Sequence, residues 1–178
     1  LDPEGAAETR LLSDFELATR LSYFLWSSMP DEELFSLARD GQLRQGDHLE
    51  QQVRRMLADP KSQAYIDNFA GQWLQLRSLD DLTFDQQKYP GSSRELLAAM
   101  REETTRFFGA IVREDLSALR ILDADFTFVN EPLARHYGIA GVQGSEFRRV
   151  SLHGTPRAGV LTQASLLAVT SNPTRTSP

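Results

Sequence analysis

Ser92-Ser-Arg-Glu-Leu-Leu-Ala-Ala-Met-Arg-Glu-Glu-Thr-Thr-Arg-Phe-Phe-Gly-Ala-Ile-Val-Arg113 is the stretch that decides the fold. Leu96, Leu97, Met100, Thr104, Phe107, Phe108, Ile111 and Val112 recur in it at steps of three and four, the spacing of one buried helical stripe. Ser92-Ser93-Arg94-Glu95 reads as a capping box, in which a serine hydroxyl takes a free N–H of the first turn and the glutamate reaches back. The longest helix of the chain is expected here. A stripe this long needs other helices to cover it.

Upstream, the same period recurs in shorter pieces. Ser13-Asp14-Phe15-Glu16 is another capping box, followed by Phe15, Leu17, Ala18, Leu21, Phe24 and Leu25 on one face. That helix should end near Trp26, because Pro30 disfavours a helical conformation at Met29. A second helix follows Asp31 and carries Leu34, Phe35, Leu37 and Ala38, with Gly41 as its left-handed stop. A third starts near Asp47 with Leu49, Val53, Met56 and Leu57. Asp59-Pro60 opens a fourth, expected to run on through Tyr65, Ile66, Phe69, Trp73, Leu74 and Leu76. Residues 79–91 lack a helical period and read as a connector.

Downstream, Leu116 to Leu122 suits one or two further turns. Phe126-Thr-Phe-Val129 alternates, and Phe147 to Leu152 has strand character. Asn130 caps a small helix ending at Gly138, and Leu161 to Val169 forms the last helix. Two short extended pieces do not make a sheet domain. The expected class is therefore all-α, an irregular domain of about six to eight helices with short extended connectors.

The 178 residues carry a net charge of −6, with cations interleaved among acids as in Arg113-Glu114-Asp115. That balance repels phosphate backbones and argues against a nucleic-acid partner. No apolar run approaches the roughly 18 residues of a membrane helix, so no membrane insertion is expected. Cysteine is absent, which excludes disulfides, thiolate metal ligands, thiol nucleophiles and thioether haem attachment on this chain.

No catalytic constellation emerges from the residues, so the sequence leaves open whether the chain is part of an enzyme. His48, His136 and His153 lack a second ligand three or four residues away. His136 is flanked by Arg135 and Tyr137 before the Gly138 stop, where a helix C-terminus would favour its protonated form. Its plain alternative is a cap. Asp123 and Asp125 fail the spacing of a calcium loop and suit turn hydrogen bonds. Glu102-Glu103 lacks the Glu-x-x-His partners of a carboxylate metal site and reads as a solvated helical face. Trp26 and Trp73 read as core residues with the indole N–H satisfied at the rim. The hydroxyl-rich Thr170 to Pro178, with Asn172 and Arg175, is either an anion site or a loop satisfying its own backbone, the second being favoured. Arg135, His136, Asn172 and Arg175 are the candidate site or interface residues, with no catalytic, cofactor or metal residue assigned.

Three blocks resemble a known family in order and spacing. They are Phe15-Glu-Leu-Ala-Thr-Arg-Leu-Ser-Tyr-Phe-Leu-Trp-Ser-Ser-Met-Pro-Asp31, Phe69-Ala-Gly-Gln-Trp-Leu-Gln-Leu-Arg77 and Phe126-Thr-Phe-Val-Asn-Glu-Pro-Leu-Ala-Arg-His-Tyr-Gly138. They look like a domain of unknown function found in large secreted proteins of planctomycetes and related bacteria. Gly159 to Pro178 is similar to the start of a planctomycete cytochrome-type domain, whose Cys-x-x-Cys-His haem motif would lie further on. The resemblance implies a polar tail over 1–12, a helical domain over 13–152, and the start of a truncated cytochrome-type domain over 153–178. It also implies a periplasmic or exported parent protein bearing c-type haem. The function expected is a helical scaffold or interaction module beside a neighbouring cytochrome-type domain, supporting electron transfer. The alternatives are part of an oxidoreductase active site completed by neighbouring domains, and a structural cell-envelope component.

Overall fold

In the computed structural model, residues 10–82, 87 and 91–171 are described. The chain divides into two compact units, Leu1–Tyr65 and Ile66–Pro178.

The first unit is built on α1 (Asp14–Trp26), α2 (Glu32–Arg39), α3 (His48–Ala58) and the short α4 (Gln63–Tyr65). The capping box forms as the sequence requires: the Glu16 N–H donates to Ser13 Oγ at 3.3 Å, and the Ser13 N–H donates to Glu16 Oε2 at 2.7 Å. Arg10 adds a two-pronged bond to the same carboxylate, holding Glu16 well below the usual carboxylate range. Ser27 ends α1 in the left-handed region, at φ 53°. Ala18, Leu25, Trp26, Leu34, Ala38, Leu43 and Met56 form the core. Trp26 Nε1–H donates to the Met56 carbonyl at 2.9 Å. The helical partner of that carbonyl would be the N–H of residue 60, which is proline and has none. The indole thus satisfies an acceptor that the sequence orphans.

Asp31 does two things in this unit. Its Oδ1 caps α2 by accepting the Leu34 N–H at 3.0 Å, and its carboxylate takes a bidentate bond from Arg55 at 2.7 and 3.0 Å. That guanidinium, first among its neighbours, holds the Asp31 carboxyl below its ordinary range.

The second unit opens with a π-helical turn, Ile66–Ala70, followed by α5 (Gly71–Trp73) and a 3₁₀ segment, Leu76–Asp81. The single helix expected through 60–76 is thus a succession of short turns of different pitch. Then comes α6 (Arg94–Arg113), the longest helix among the described residues, with Phe107, Phe108, Ile111 and Met100 buried as the spacing predicts. Its cap is Ser93, one residue later than the capping box expected. Ser93 Oγ accepts from the Leu96 N–H at 3.1 Å, so leucine stands at the third helical position and no reciprocal glutamate bond to the cap N–H is available.

A short α7 (Arg120–Asp123) leads into β1 (Phe126–Val129), which pairs antiparallel with β2 (Arg148–Ser151), Phe126 opposite Ser151 and Val129 opposite Arg148. Between them α8 (Glu131–Tyr137) is capped by Asn130 and stopped by Gly138 at φ 72°. The two extended pieces therefore form a small sheet, and the fold is mostly helical but not strictly all-α. Strand pairing needs two edges brought together, which neither segment announces alone.

The final helical stretch is interrupted. A 3₁₀ turn, Val160–Thr162, gives way at the extended Gln163 to α9 (Ala164–Thr170), which lies against α6 and the 3₁₀ segment after α5. Gly159 makes this path possible. A Cβ there would sit 2.3 Å from the Leu122 carbonyl, and φ is 55°. Only glycine tolerates both.

Candidate functional site

The interior of the second unit gathers an acid, a phenol and four polar side chains around α6. Glu103 is fully buried and is the only ionisable side chain in that class among the described residues. It lies on the buried face because it falls three residues after Met100 and four before Phe107, within the apolar stripe. The reading of Glu102-Glu103 as a solvated face holds only for Glu102, which is half-exposed and pairs with Arg106 at 2.6 Å.

Both Glu103 oxygens are engaged. Thr127 Oγ1 on β1 donates to Oε1 at 2.6 Å, and the Tyr137 hydroxyl at the end of α8 donates to Oε2 at 2.6 Å. The same Tyr137 hydroxyl accepts the Ala164 N–H at 2.7 Å, which anchors the first turn of α9. Gln163 offers that turn no side-chain cap, so the phenol takes the place of one. Arg157 lies over the Tyr137 ring at 4.0 Å, with Nη1 bonded to the Thr162 carbonyl at 2.5 Å.

One residue along α6, Thr104 Oγ1 meets Gln163 Oε1 at 2.7 Å and Ser165 Oγ at 2.5 Å. Gln163 Nε2 is buried without a partner in this orientation. Turning the amide over puts Nε2 against Thr104 Oγ1, which then accepts and passes its own proton to Ser165. That orientation supplies an acceptor for one Nε2 proton.

Burial dominates the acidity of Glu103. Loss of water pushes its carboxyl up to about 7, against the opposing pull of Thr127, Tyr137 and the Arg157 charge. The Tyr137 phenol is pushed up as well, first by burial and then by the adjacent carboxylate, and stays a proton donor across the physiological range. Glu103 is thus shifted from the ordinary carboxylate range toward neutrality.

The residues singled out from sequence are not brought together among the described residues. Arg135 is exposed and paired with Glu131 along α8 at 2.7 Å. His136 is also exposed. Its pKa is lowered, first by partial burial and then by the charge of Arg157, opposite to the raised value expected from the helix end. Asn172 and Arg175 lie outside the described residues. His48 Nδ1 is 2.8 Å from the Gln42 carbonyl, and His153 Nε2 is 2.9 Å from Asp125 Oδ2. Among the described residues no three His, Asp or Glu side chains are grouped to hold a metal ion. Trp26 is buried as expected, but Trp73 is 53% exposed, its ring 5.7 Å from Phe69.

In the sequence Tyr137 stands out only as a neighbour of His136, and no local pattern marks Thr127, Gln163 or Ser165 as partners of an acid. The phase of Glu103 within the α6 stripe was the one available signal.

No curated protein and no solved structure matches the chain. Residues 12–139, well over half of the 178, match the family described as Protein of unknown function (DUF1592), PSD4. The chain belongs to this family, and the polar centre on α6 is the interior of one of its members.

Proposed function

We propose that the chain is a non-catalytic helical scaffold within an exported, c-type cytochrome-associated protein, and that it positions a neighbouring cytochrome-type domain for electron transfer. One observation carries the scaffold reading. The interior acid and its hydroxyl partners are committed to joining α6, β1, α8 and the start of α9, with both carboxylate oxygens occupied. Groups held this way fix one arrangement of segments and leave no reacting atom open to a substrate.

The chain has no cysteine, so a thioether-linked haem does not fit its residues and would belong to a neighbour. The similarity of Gly159 to Pro178 to the beginning of a cytochrome-type domain supports that neighbour. A domain following α9 would inherit the orientation that Tyr137 gives to its first turn.

The test uses the native protein as secreted. The scaffold reading expects a c-type haem spectrum from the intact polypeptide, and unchanged electron transfer when Arg135 and His136 are each replaced by alanine. A native polypeptide without haem absorbance overturns the cytochrome association. Loss of turnover in R135A or H136A, with the fold intact, overturns the non-catalytic assignment in favour of a shared active site.

A further inference from the structure

The cover over the Glu103 centre is uneven. Most of it is deep core: Phe107 of α6, Val129 of β1 and Leu133 of α8 are fully buried. The rest is α9, whose first turn sits on the Tyr137 hydroxyl. Of its residues only Ala164 and Ser165 are buried, and Leu167 is 39% exposed. Two small side chains bury little apolar surface, so lifting this helix costs far less than opening the rest of the unit.

The ties of α9 to the centre are polar. The Ala164 N–H donates to the Tyr137 hydroxyl at 2.7 Å, and Ser165 Oγ meets Thr104 Oγ1 at 2.5 Å. The segment before it is fastened separately. There the Gly159 N–H donates to the Ala124 carbonyl at 2.9 Å, and Arg157 Nη1 donates to the Thr162 carbonyl at 2.5 Å. Gln163, extended at φ −73° and ψ 141°, separates the two, so α9 can swing there without unwinding the 3₁₀ turn.

The acid beneath is poorly compensated when charged. Thr127 and Tyr137 give it one hydrogen bond each, less than water gives a carboxylate. From the elements packed against α6, the charged or titratable groups that bear on Glu103 are Tyr137 and Arg157. The strand β1 presents only Thr127, and α9 carries no ionisable side chain. Arg157 lies over the Tyr137 ring with Nη1 committed to Thr162, and is not ion-paired with Glu103. Water is therefore the remaining relief for a charge there, and α9 is the cheapest way in.

We propose that α9 is a strap whose opening is favoured when Glu103 loses its proton, swinging at Gln163 and admitting water to the carboxylate past the Tyr137 hydroxyl. Burial raises the carboxyl from 4.5 to about 7 in the closed form. Between those values the closed form holds a proton that the open form has released, so closure weakens as pH rises through the window and levels off above it. The inference rests on these contacts alone, not on the cytochrome association or on any neighbouring domain. It adds a condition to the scaffold role: a segment following α9 is held firmly in acid and more loosely at neutral pH and above.

The experiment is amide hydrogen exchange of the whole chain by NMR, with rates corrected for base catalysis. The Ala164 and Leu167 amides should open more often than those of Phe107 and Leu133 at every pH. Their opening constants should rise about tenfold between pH 6 and pH 8 in the parent and stay flat in E103Q. The ¹³C shift of the Glu103 carboxyl, read in the parent, should titrate with the midpoint at which the rise levels off. Protection of α9 that does not change with pH overturns the strap. So does the same rise in E103Q, a Glu103 titration with a different midpoint, or α9 amides that open only together with Phe107.

Discussion

Replacing Glu103 by glutamine should abolish a pH dependence of stability that the buried acid imposes on the second unit. In the unfolded chain the carboxyl ionises near 4.5, and in the fold near 7. Between those values the folded state holds a proton that the unfolded state has released. Stability therefore falls as pH rises through that window and levels off above it. The interval of about 2.5 pH units, at about 1.4 kcal/mol each, amounts to about 3 kcal/mol. That is a large share of a typical total of about 5–15 kcal/mol. Because Glu103 is fully buried, solvent screening does not reduce the figure.

Glutamine keeps the shape, and its amide bonds to Thr127 and Tyr137 much as the protonated acid would, with one hydroxyl turning from donor to acceptor. E103Q should match the parent near pH 4.5 and exceed its stability by about 3 kcal/mol at pH 8. Urea unfolding followed by ¹⁹F NMR of 5-fluorotryptophan is the suitable assay. The two tryptophans, Trp26 and Trp73, lie in different units, so one resonance reports each. A constant difference between E103Q and the parent from pH 5 to 8, read at Trp73, would refute the reasoning. It would mean that the hydrogen bonds from Thr127 and Tyr137 outweigh desolvation and keep Glu103 ionised throughout.

Three further outcomes follow from the same contacts. Y137F leaves the Ala164 N–H without its acceptor and should cost about 2 kcal/mol, with faster hydrogen exchange at that amide than elsewhere in α9. G159A forces a Cβ to within 2.3 Å of backbone at a positive φ, and should lower urea stability by about 3 kcal/mol or more, or prevent folding of the second unit. D31A removes both a helix cap and the Arg55 pair and should cost about 1–2 kcal/mol at pH 7, while D31N keeps the cap and should cost less than about 1 kcal/mol. The Asp31 carboxyl is held below its ordinary value of 3.8, so its contribution is present above that pH and is lost as the solution is acidified. Parent and D31N melting curves at Trp26 should converge in acid.

The sequence by itself determined what depends on neighbours in the chain. Ser13 and Asn130 cap the helices they were expected to cap, the helix expected after Asp31 begins there, Gly138 stops α8, and the stripe from Leu96 to Ile111 is buried. These follow from dihedral preferences and a period of 3.6 residues, both of which act over a few positions. The tertiary structure decided everything that required distant segments to meet. Only pairing of 126–129 with 148–151 turned two extended pieces into a sheet. Only the fold showed that the carbonyl orphaned by Pro60 finds the indole of Trp26, thirty residues before its own position.

The polar centre shows the division most sharply. Glu103 stands in phase with the buried stripe, yet its charge argued for solvent, and sequence cannot weigh one against the other. What tips the balance is supplied from 24 and 34 residues away by Thr127 and Tyr137, and beyond them by Ala164. A buried acid is stable only where such partners converge, and convergence at that range is a property of the packed chain, not of its local pattern.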